Sequence, residues 1–207
     1  MRGKFITLEG PEGAGKTSAC KMVTEIFPNR RITIVREPGS TSFGEKIRSI
    51  LQTENMPARS ELMLFEAARA CIVDTVIIPL LEEGVDILCD RFYDSTTSYQ
   101  GFGRGMSLEF LQKVNGFATG GLMPDCTFIF DVPSEVSCRR MEMMGKKRDR
   151  LEQNGSDFFD RIRKGYRILA EKDPEGCLLI DGSREIGEIS EIVYKKINKF
   201  LKSALLK

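Results

Sequence analysis

The 207-residue chain contains no histidine, and its six cysteines never fall in a Cys-x-x-Cys spacing. Cys20, Cys71, Cys89, Cys126, Cys138 and Cys177 are scattered, so no mixed Cys/His zinc site is encoded, and they read as reduced, mostly buried thiols. Charge of a single sign is also lacking. With 31 Lys and Arg against 30 Asp and Glu, there is no global basic field to advertise nucleic acid as a partner. Any attraction for anions must therefore be local. No uninterrupted apolar run approaches the roughly 18 to 20 residues of a membrane span, and the first residues show no apolar leader, so neither a membrane nor an export route is expected. Internal repeats, low-complexity tracts and linkers are missing as well. What remains is a cytoplasmic chain whose residues 1–207 make one domain with a sizeable core.

Against that background one stretch stands out. Gly10, Pro11, Glu12, Gly13, Ala14, Gly15, Lys16 and Thr17 form a complete phosphate-binding loop, entered from the apolar run Phe5-Ile6-Thr7-Leu8. Glycines let successive backbone N–H groups turn inward, and the helix that follows presents its positive N-terminal end to an anion. Lys16 can reach the β and γ phosphates of a nucleoside triphosphate. Thr17 offers a hydroxyl to Mg²⁺, which also bridges phosphate oxygens.

Periodicity places this loop in an alternating α/β chain. A helix is expected from about Lys16 to Phe27, stopped by Pro28, and a second strand over residues 31–36. After the Glu37-Pro38-Gly39-Ser40 turn a helix over about residues 44–51 carries Lys46 and Arg48. A long helix is expected over about residues 59–83, bent near its end by Pro79. Strands over residues 85–89 and 126–132 end near Asp90 and Asp131. Between them lie a Ser/Thr- and Gly-rich segment over residues 95–105, read as a loop, and a helix over about residues 107–117. Further helices over about residues 134–144 and 156–172, a short strand over residues 178–180 and a C-terminal helix complete the chain. Five strands separated by helices imply a parallel sheet covered on both faces, with ligands beyond the strand C-terminal ends.

The residues also supply what transfer between anions requires. Arg91 follows a strand ending in Asp90, so its planar fork should project into the ligand pocket, where it suits a phosphate. Asp90 fits a carboxylate that holds magnesium directly or through water, with helix capping or ion pairing as the plain alternative. Phe65 and Arg69 stand four apart on one helix face, and an arginine on an apolar face needs an acceptor.

The ordered set Gly10 to Thr17, Arg36-Glu37-Pro38-Gly39, Phe65-Glu66-Ala67-Ala68-Arg69, Asp90-Arg91-Phe92, Ser98-Tyr99-Gln100-Gly101 and Asp149-Arg150-Leu151-Glu152 resembles the nucleoside monophosphate kinases, and within them the thymidylate kinases, over nearly the whole chain. The resemblance implies the P-loop nucleoside triphosphate hydrolase fold, ATP as donor, deoxythymidine monophosphate (dTMP) as acceptor, and a lid at about residues 142–156. It assigns the acceptor phosphate to Arg91 and Arg48, with Lys46 and Arg36 as substitutes for the latter. Phe65 would stack on thymine, and Arg69 would bond its carbonyl oxygen. Tyr99 would crowd a ribose 2′-hydroxyl, Gln100 would lie near the base, and Ser95, at the head of that segment, joins the substrate ligands. Glu12 would bond the sugar 3′-hydroxyl. Glu37 would support magnesium or orient an arginine.

No arginine lies within the phosphate loop after Gly10, and the family branch with that property carries its charge-stabilising arginines in the lid. Lys146-Lys147-Arg148-Asp149-Arg150 occupies that place, so Arg150, with Arg148 second, is assigned to the transferring phosphoryl. Apolar residues wrap more than one face of the long helix, including Leu62, Phe65, Ile72 and Val73, and the resemblance implies a homodimer pairing through it. The alternatives are a related kinase acting on another nucleoside monophosphate or a deoxynucleoside, and a non-catalytic nucleotide-binding module. A guanine-nucleotide switch would need an Asn/Thr-Lys-x-Asp reader, and Asn198-Lys199-Phe200 lacks the aspartate.

Overall fold

The computed structural model describes residues 2–143, 145 and 155–203. Its centre is a five-stranded sheet, every pairing of which is parallel, in the order β2-β3-β1-β4-β5. The strands are β1 (Phe5–Glu9), β2 (Ile32–Arg36), β3 (Asp86–Asp90), β4 (Cys126–Asp131) and β5 (Cys177–Asp181).

Strand alternation sorts the core into two sides. Ile6 and Leu8 of β1 join Phe128 and Phe130 of β4 beneath α1 (Lys16–Ile26) and α9 (Ile186–Ser203), which contribute Ala19, Val23, Ile189, Val193 and Ile197. On the opposite side Phe5, Val35, Ile87 and Cys89 pack against α3 (Ala58–Ile72) and its continuation through Val73, Ile77 and Leu81. Ile129, on that same side, meets Phe158, Ile162 and Tyr166 of α8 (Ser156–Lys172).

The expected long helix is interrupted. After α3 the chain makes a π-helical turn over Val73–Ile77 before α4 (Ile78–Glu82). Pro79 has no N–H to offer the carbonyl four residues back and crowds it, which accounts for the wider turn in front of it. Leu62 and Ile72 are core residues at 1% and 0% exposure, so the second apolar face of α3 is the one carrying exposed Met63 and Ala67.

The segment expected as a Gly-rich loop is helical. It runs as α5 (Tyr93–Thr96) into a π-helical stretch over Thr97–Gly103, with Ser98, Tyr99, Gln100, Gly101 and Gly103 buried. Its glycines serve close packing: a Cβ on Gly101 would lie 2.7 Å from Leu108, and one on Gly103 would lie 2.7 Å from Phe158. The remaining helices are α2 (Ser42–Thr53), capped by the Thr41 side chain, α6 (Leu108–Ala118), capped by Ser107, and α7 (Ser134–Met143). All six cysteines are free; Cys20, Cys89 and Cys126 are buried and the other three half-buried.

Candidate active site

The parallel register gathers the chemistry at one sheet edge. Leu8 pairs with Asp90, and Asp90 with Arg36, so the chain leaves β1, β3 and β2 side by side at Gly10, Arg91 and Glu37. The phosphate loop starts there. Gly10 and Gly13 have φ of 133° and 71°, and a Cβ would meet the carbonyl oxygens of Phe130 at 2.6 Å and Ser137 at 2.9 Å, so glycine is required at both. Gly15, at φ 94°, turns the chain into α1 and directs that helix's unpaired first N–H groups at the loop.

Lys16 is 4% exposed and donates through Nζ to the carbonyls of Gly10 at 3.1 Å and Pro11 at 2.7 Å. Burial, reinforced by the nearby Arg91 cation, lowers its pKa. Thr17 Oγ1 donates to Asp90 Oδ2 at 2.8 Å, and the other Asp90 oxygen lies 4.0 Å from Lys16 Nζ. The sequence's grouping of Lys16, Thr17 and Asp90 is thus a physical cluster.

Beside the loop opens a cleft of about 770 Å³, including its mouth, lined by Glu12, Arg48, Phe65, Arg69, Arg91, Ser95, Tyr99 and Gln100 among others. They arrive from the phosphate loop, α2, α3, the end of β3 and the helical stretch after it. Arg48 lies on α2 beside the buried turn positions Ile47 and Leu51 and donates to the Pro38 carbonyl at 3.2 Å, while burial and Arg36 lower its pKa. Lys46, one position from Ile47 on its other side, is exposed, and Arg36 is held by Glu45 at 2.9 Å. Phe65 is half-buried, packing on Ile47, Leu51 and Ala68 while still lining the cleft. Arg91 donates to the Gly10 carbonyl at 2.9 Å, to Ser95 Oγ at 3.3 Å and to Glu12 Oε2 at 3.4 Å, and lies over the Tyr99 ring.

The acceptor that Arg69 demands is supplied from within the chain. Its Nε donates to Glu37 Oε2 at 2.8 Å, and Nη1 donates to Glu66 and to Thr96 Oγ1 at 3.0 Å. Nη2 donates to the Phe92 carbonyl at 3.2 Å. Burial opposes its charge, but Glu37 and Glu66 outweigh burial and hold its proton more firmly than usual. Glu37, whose place the sequence left between metal support and arginine support, orients this arginine. Burial pushes its pKa up to about 7, and its Oε1 is buried without a hydrogen-bond partner among the described residues. Gln100 is placed by its amide, which donates to the buried Glu61 at 2.9 Å; Glu61 also grips Arg104 in a two-pronged pair.

Two strand-end carboxylates that look alike in the sequence separate here. Asp90 faces the phosphate loop, whereas Asp131 is held by Arg163 at 2.6 Å and Arg167 at 2.6 Å of α8, and the arginines lower its pKa against the effect of burial. Arg148, Arg150 and most of the expected lid at residues 142–156 lie outside the described residues. Sequence reasoning missed Glu9, Pro38, Leu51, Gln52 and Thr96. Pro38, Leu51, Gln52 and Thr96 line the cleft and carry no distinguishing chemistry. Glu9 had a signal, a carboxylate ending an apolar strand, and it is fully buried at the back of the site.

A family model described as thymidylate kinase matches residues 8–193. The chain is 42% identical to the thymidylate kinase of Desulforudis audaxviator over 97% of this chain and 93% of that protein. It is 41% identical to those of Caldanaerobacter subterraneus subsp. tengcongensis and Pseudomonas fluorescens, each over 99% of both chains. Full-length similarity at this level, together with a phosphate loop beside an arginine-lined cleft, means that the chain belongs to the thymidylate kinase family.

Proposed function

We propose that this protein transfers the γ-phosphoryl group of ATP to dTMP, giving ADP and dTDP on the route that supplies dTTP for DNA synthesis, with ATP on the loop at Gly10–Thr17 and dTMP in the adjoining cleft. The observation that carries this reading is the shared wall: Glu12 belongs to the phosphate loop and lines the cleft, and Arg91 spans both. In the transfer the γ-phosphorus loses its bond to the β,γ-bridging oxygen and gains one to an oxygen of the acceptor phosphate. Two anions must meet, so positive groups on each side are the principal need.

Lys16 exchanges its loop carbonyls for β and γ phosphate oxygens. Arg91 and Arg48 hold the acceptor phosphate, Phe65 stacks on thymine, and Arg69 donates from Nη2 to a base carbonyl. Glu12 takes the 3′-hydroxyl, Tyr99 crowds the sugar's 2′ position, and Ser95 and Gln100 complete the acceptor site. Thr17 Oγ1 and Asp90 Oδ2, 2.8 Å apart, are the hard oxygen donors that Mg²⁺ takes. Among the described residues no group of three or more His, Cys, Asp or Glu could cage a metal. When bound there, Mg²⁺ would supply charge neutralisation and a fixed orientation for the β and γ phosphates. Arg150, with Arg148 second, stabilises the moving phosphoryl from a lid at about residues 142–156 of a single domain.

The test is ADP release from ATP and Mg²⁺ with a panel of nucleoside monophosphates. Release fastest with dTMP is expected. Faster turnover of another monophosphate, or none dependent on dTMP, would reject the assignment. Arg150→Ala should lower kcat with little change in either KM; a change confined to ATP binding would make it a ground-state ligand.

The same reading includes a cytoplasmic homodimer. In support, no helix among the described residues is long and apolar enough to cross a membrane. Phe43 and Ile50 of α2, Met63 of α3, and Phe110 and Phe117 of α6 are exposed apolar groups, and α3 packs against both α2 and α6. Light scattering should give twice the 23.3 kDa chain mass. Met63→Glu should give a folded monomer; a wild-type chain that stays monomeric at micromolar concentration would reject pairing.

A further inference from the structure

We propose that Glu9 is a positioning residue for acceptor binding: its buried carboxylate holds the turn after β3 so that Arg91 presents its guanidinium to the acceptor phosphate. The proposal rests on the reading of Arg91 as an acceptor-phosphate ligand. Glu9 ends β1 immediately before the phosphate loop, and strand parity puts it on the same side as Phe5, under α8 and the helical stretch from Tyr93. It is 0% exposed, where a carboxylate is costly unless its lone pairs are filled.

They are filled from two separate elements. Oε1 accepts from the backbone N–H of Phe92 at 2.7 Å and of Ser95 at 3.3 Å. Oε2 accepts from Ser95 Oγ at 2.6 Å and from the Tyr166 hydroxyl of α8 at 3.0 Å. The residues clamped by Oε1 directly follow a strained position: Arg91 is one of two non-glycine residues among those described with positive φ, at 73°. With the chain in that conformation Arg91 reaches the Gly10 carbonyl at 2.9 Å and Glu12 Oε2 at 3.4 Å.

Ser95 provides a second link. Because its hydroxyl proton goes to Glu9, its lone pairs face Arg91 Nη1 at 3.3 Å. An amide at position 9 would put N–H in place of Oε2 and press Ser95 to point its own proton at the guanidinium. Asp90, by contrast, faces Thr17 and Lys16 on the donor side, so the carboxylate serving the acceptor turn is Glu9.

Steady-state kinetics of Glu9→Gln, Arg91→Ala and the double variant separate the possibilities. Glu9→Gln should raise KM for dTMP about ten-fold or more with KM for ATP unchanged, the size expected for a lost hydrogen bond to a charged group. In the Arg91→Ala background it should add nothing, because its effect runs through Arg91. An unchanged dTMP KM in Glu9→Gln would overturn the proposal, as would an equal rise for both substrates or the same rise with Arg91 already removed. Arg91→Ala with an unchanged dTMP KM would reject the acceptor reading itself. Should Glu9→Gln fail to fold, Tyr166→Phe deletes one of the four bonds and should raise dTMP KM about two- to ten-fold, again sparing ATP. No rise there overturns the proposal.

Discussion

The two halves of this site are built in opposite ways. On the proposed reading, the phosphate loop is eight consecutive residues that meet the donor chiefly through backbone N–H groups, with Lys16 and Thr17 adding side-chain chemistry. The acceptor cleft is assembled from side chains at the ends of three strands, on α2 and α3, and in the helical stretch after β3. One is encoded locally and held by strand-to-helix geometry. The other depends on buried charges that carry no local pattern, because Arg69 needs Glu37 and Glu66, and Gln100 needs Glu61. A loop of the first kind tolerates change around it, whereas a cleft of the second kind fails when a distant partner is lost.

The sharpest way to break that contrast is Lys16→Ala. Removing a cation from the donor phosphates should lower kcat by about 10³- to 10⁵-fold, or roughly 4 to 7 kcal/mol of barrier. The melting temperature should move far less than the rate, since Lys16 Nζ bonds to loop carbonyls and its ion pair with Asp90 is a long one, at 4.0 Å. Single-turnover kinetics with calorimetry of dTMP binding would check it; full activity would remove the loop from the donor role.

The same contrast explains what could be read in advance. Strands and most helices were legible because buried strands are short apolar runs and helices repeat apolar residues at three to four, as in Phe5 to Leu8 and along α1. The glycine-rich stretch from Ser95 was misread as a loop because glycine signals turns and close packing alike, and only Leu108 and Phe158 pressing on it distinguish the two. Within the cleft, Arg91 was legible from the strand it follows and Arg69 from its place on an apolar helix face, whereas the roles of Phe65 and Tyr99 came through the family resemblance; from residues alone Phe65 would have been left in the core and Arg48 in solvent. Glu37's partner was not legible, because nothing at position 37 points across the sheet edge to position 69.

That hidden pairing makes the next largest effect one on stability. Arg69→Met leaves Glu37 and Glu66 facing each other in a dry interior, and breaking a buried pair from one side costs about 3 to 5 kcal/mol. Arg167→Met, removing a half-exposed partner of Asp131 that Arg163 still holds, should cost under about 1 kcal/mol. Thermal unfolding of both variants checks the ratio. Equal losses would mean that the cleft's ion network is no more demanding than the outer one.

Glu37 itself should show in the pH profile. Its pKa rises from 4.5 to about 7 on folding, chiefly through burial. Below about pH 4.5 both states keep the proton and the group contributes nothing. Between about 4.5 and 7 the unfolded chain releases it while the folded chain keeps it, so stability falls as pH rises, by about 3 kcal/mol in all, and levels off above 7. Glu37→Gln retains an acceptor for Arg69 Nε and should flatten that part of the curve. Asp94, pushed up to about 8 by burial, is present in both proteins, so the difference between their curves reports on Glu37.

The smallest effect tests the residue that belongs to both descriptions. Phe65 packs on Ile47, Leu51 and Ala68, yet it is only half-buried and its other side lines the cleft. Phe65→Ala should weaken dTMP binding by about 1 to 3 kcal/mol, or about five-fold to over a hundred-fold, as expected for one stacked base. ATP, proposed to bind to the loop backbone and Lys16 on the other side of Glu12, should be held as before. The ring also fills space, so the variant should lose some stability, and the two losses have to be measured apart. Phe65→Leu does that: it keeps most of the packing volume against Ile47 and Leu51 but offers no flat face to thymine. A leucine variant with wild-type melting temperature and weakened dTMP binding would place the ring's function in the cleft. Recovery of dTMP affinity along with stability would place it in the core and leave thymine to be read by Arg69 and the groups around it.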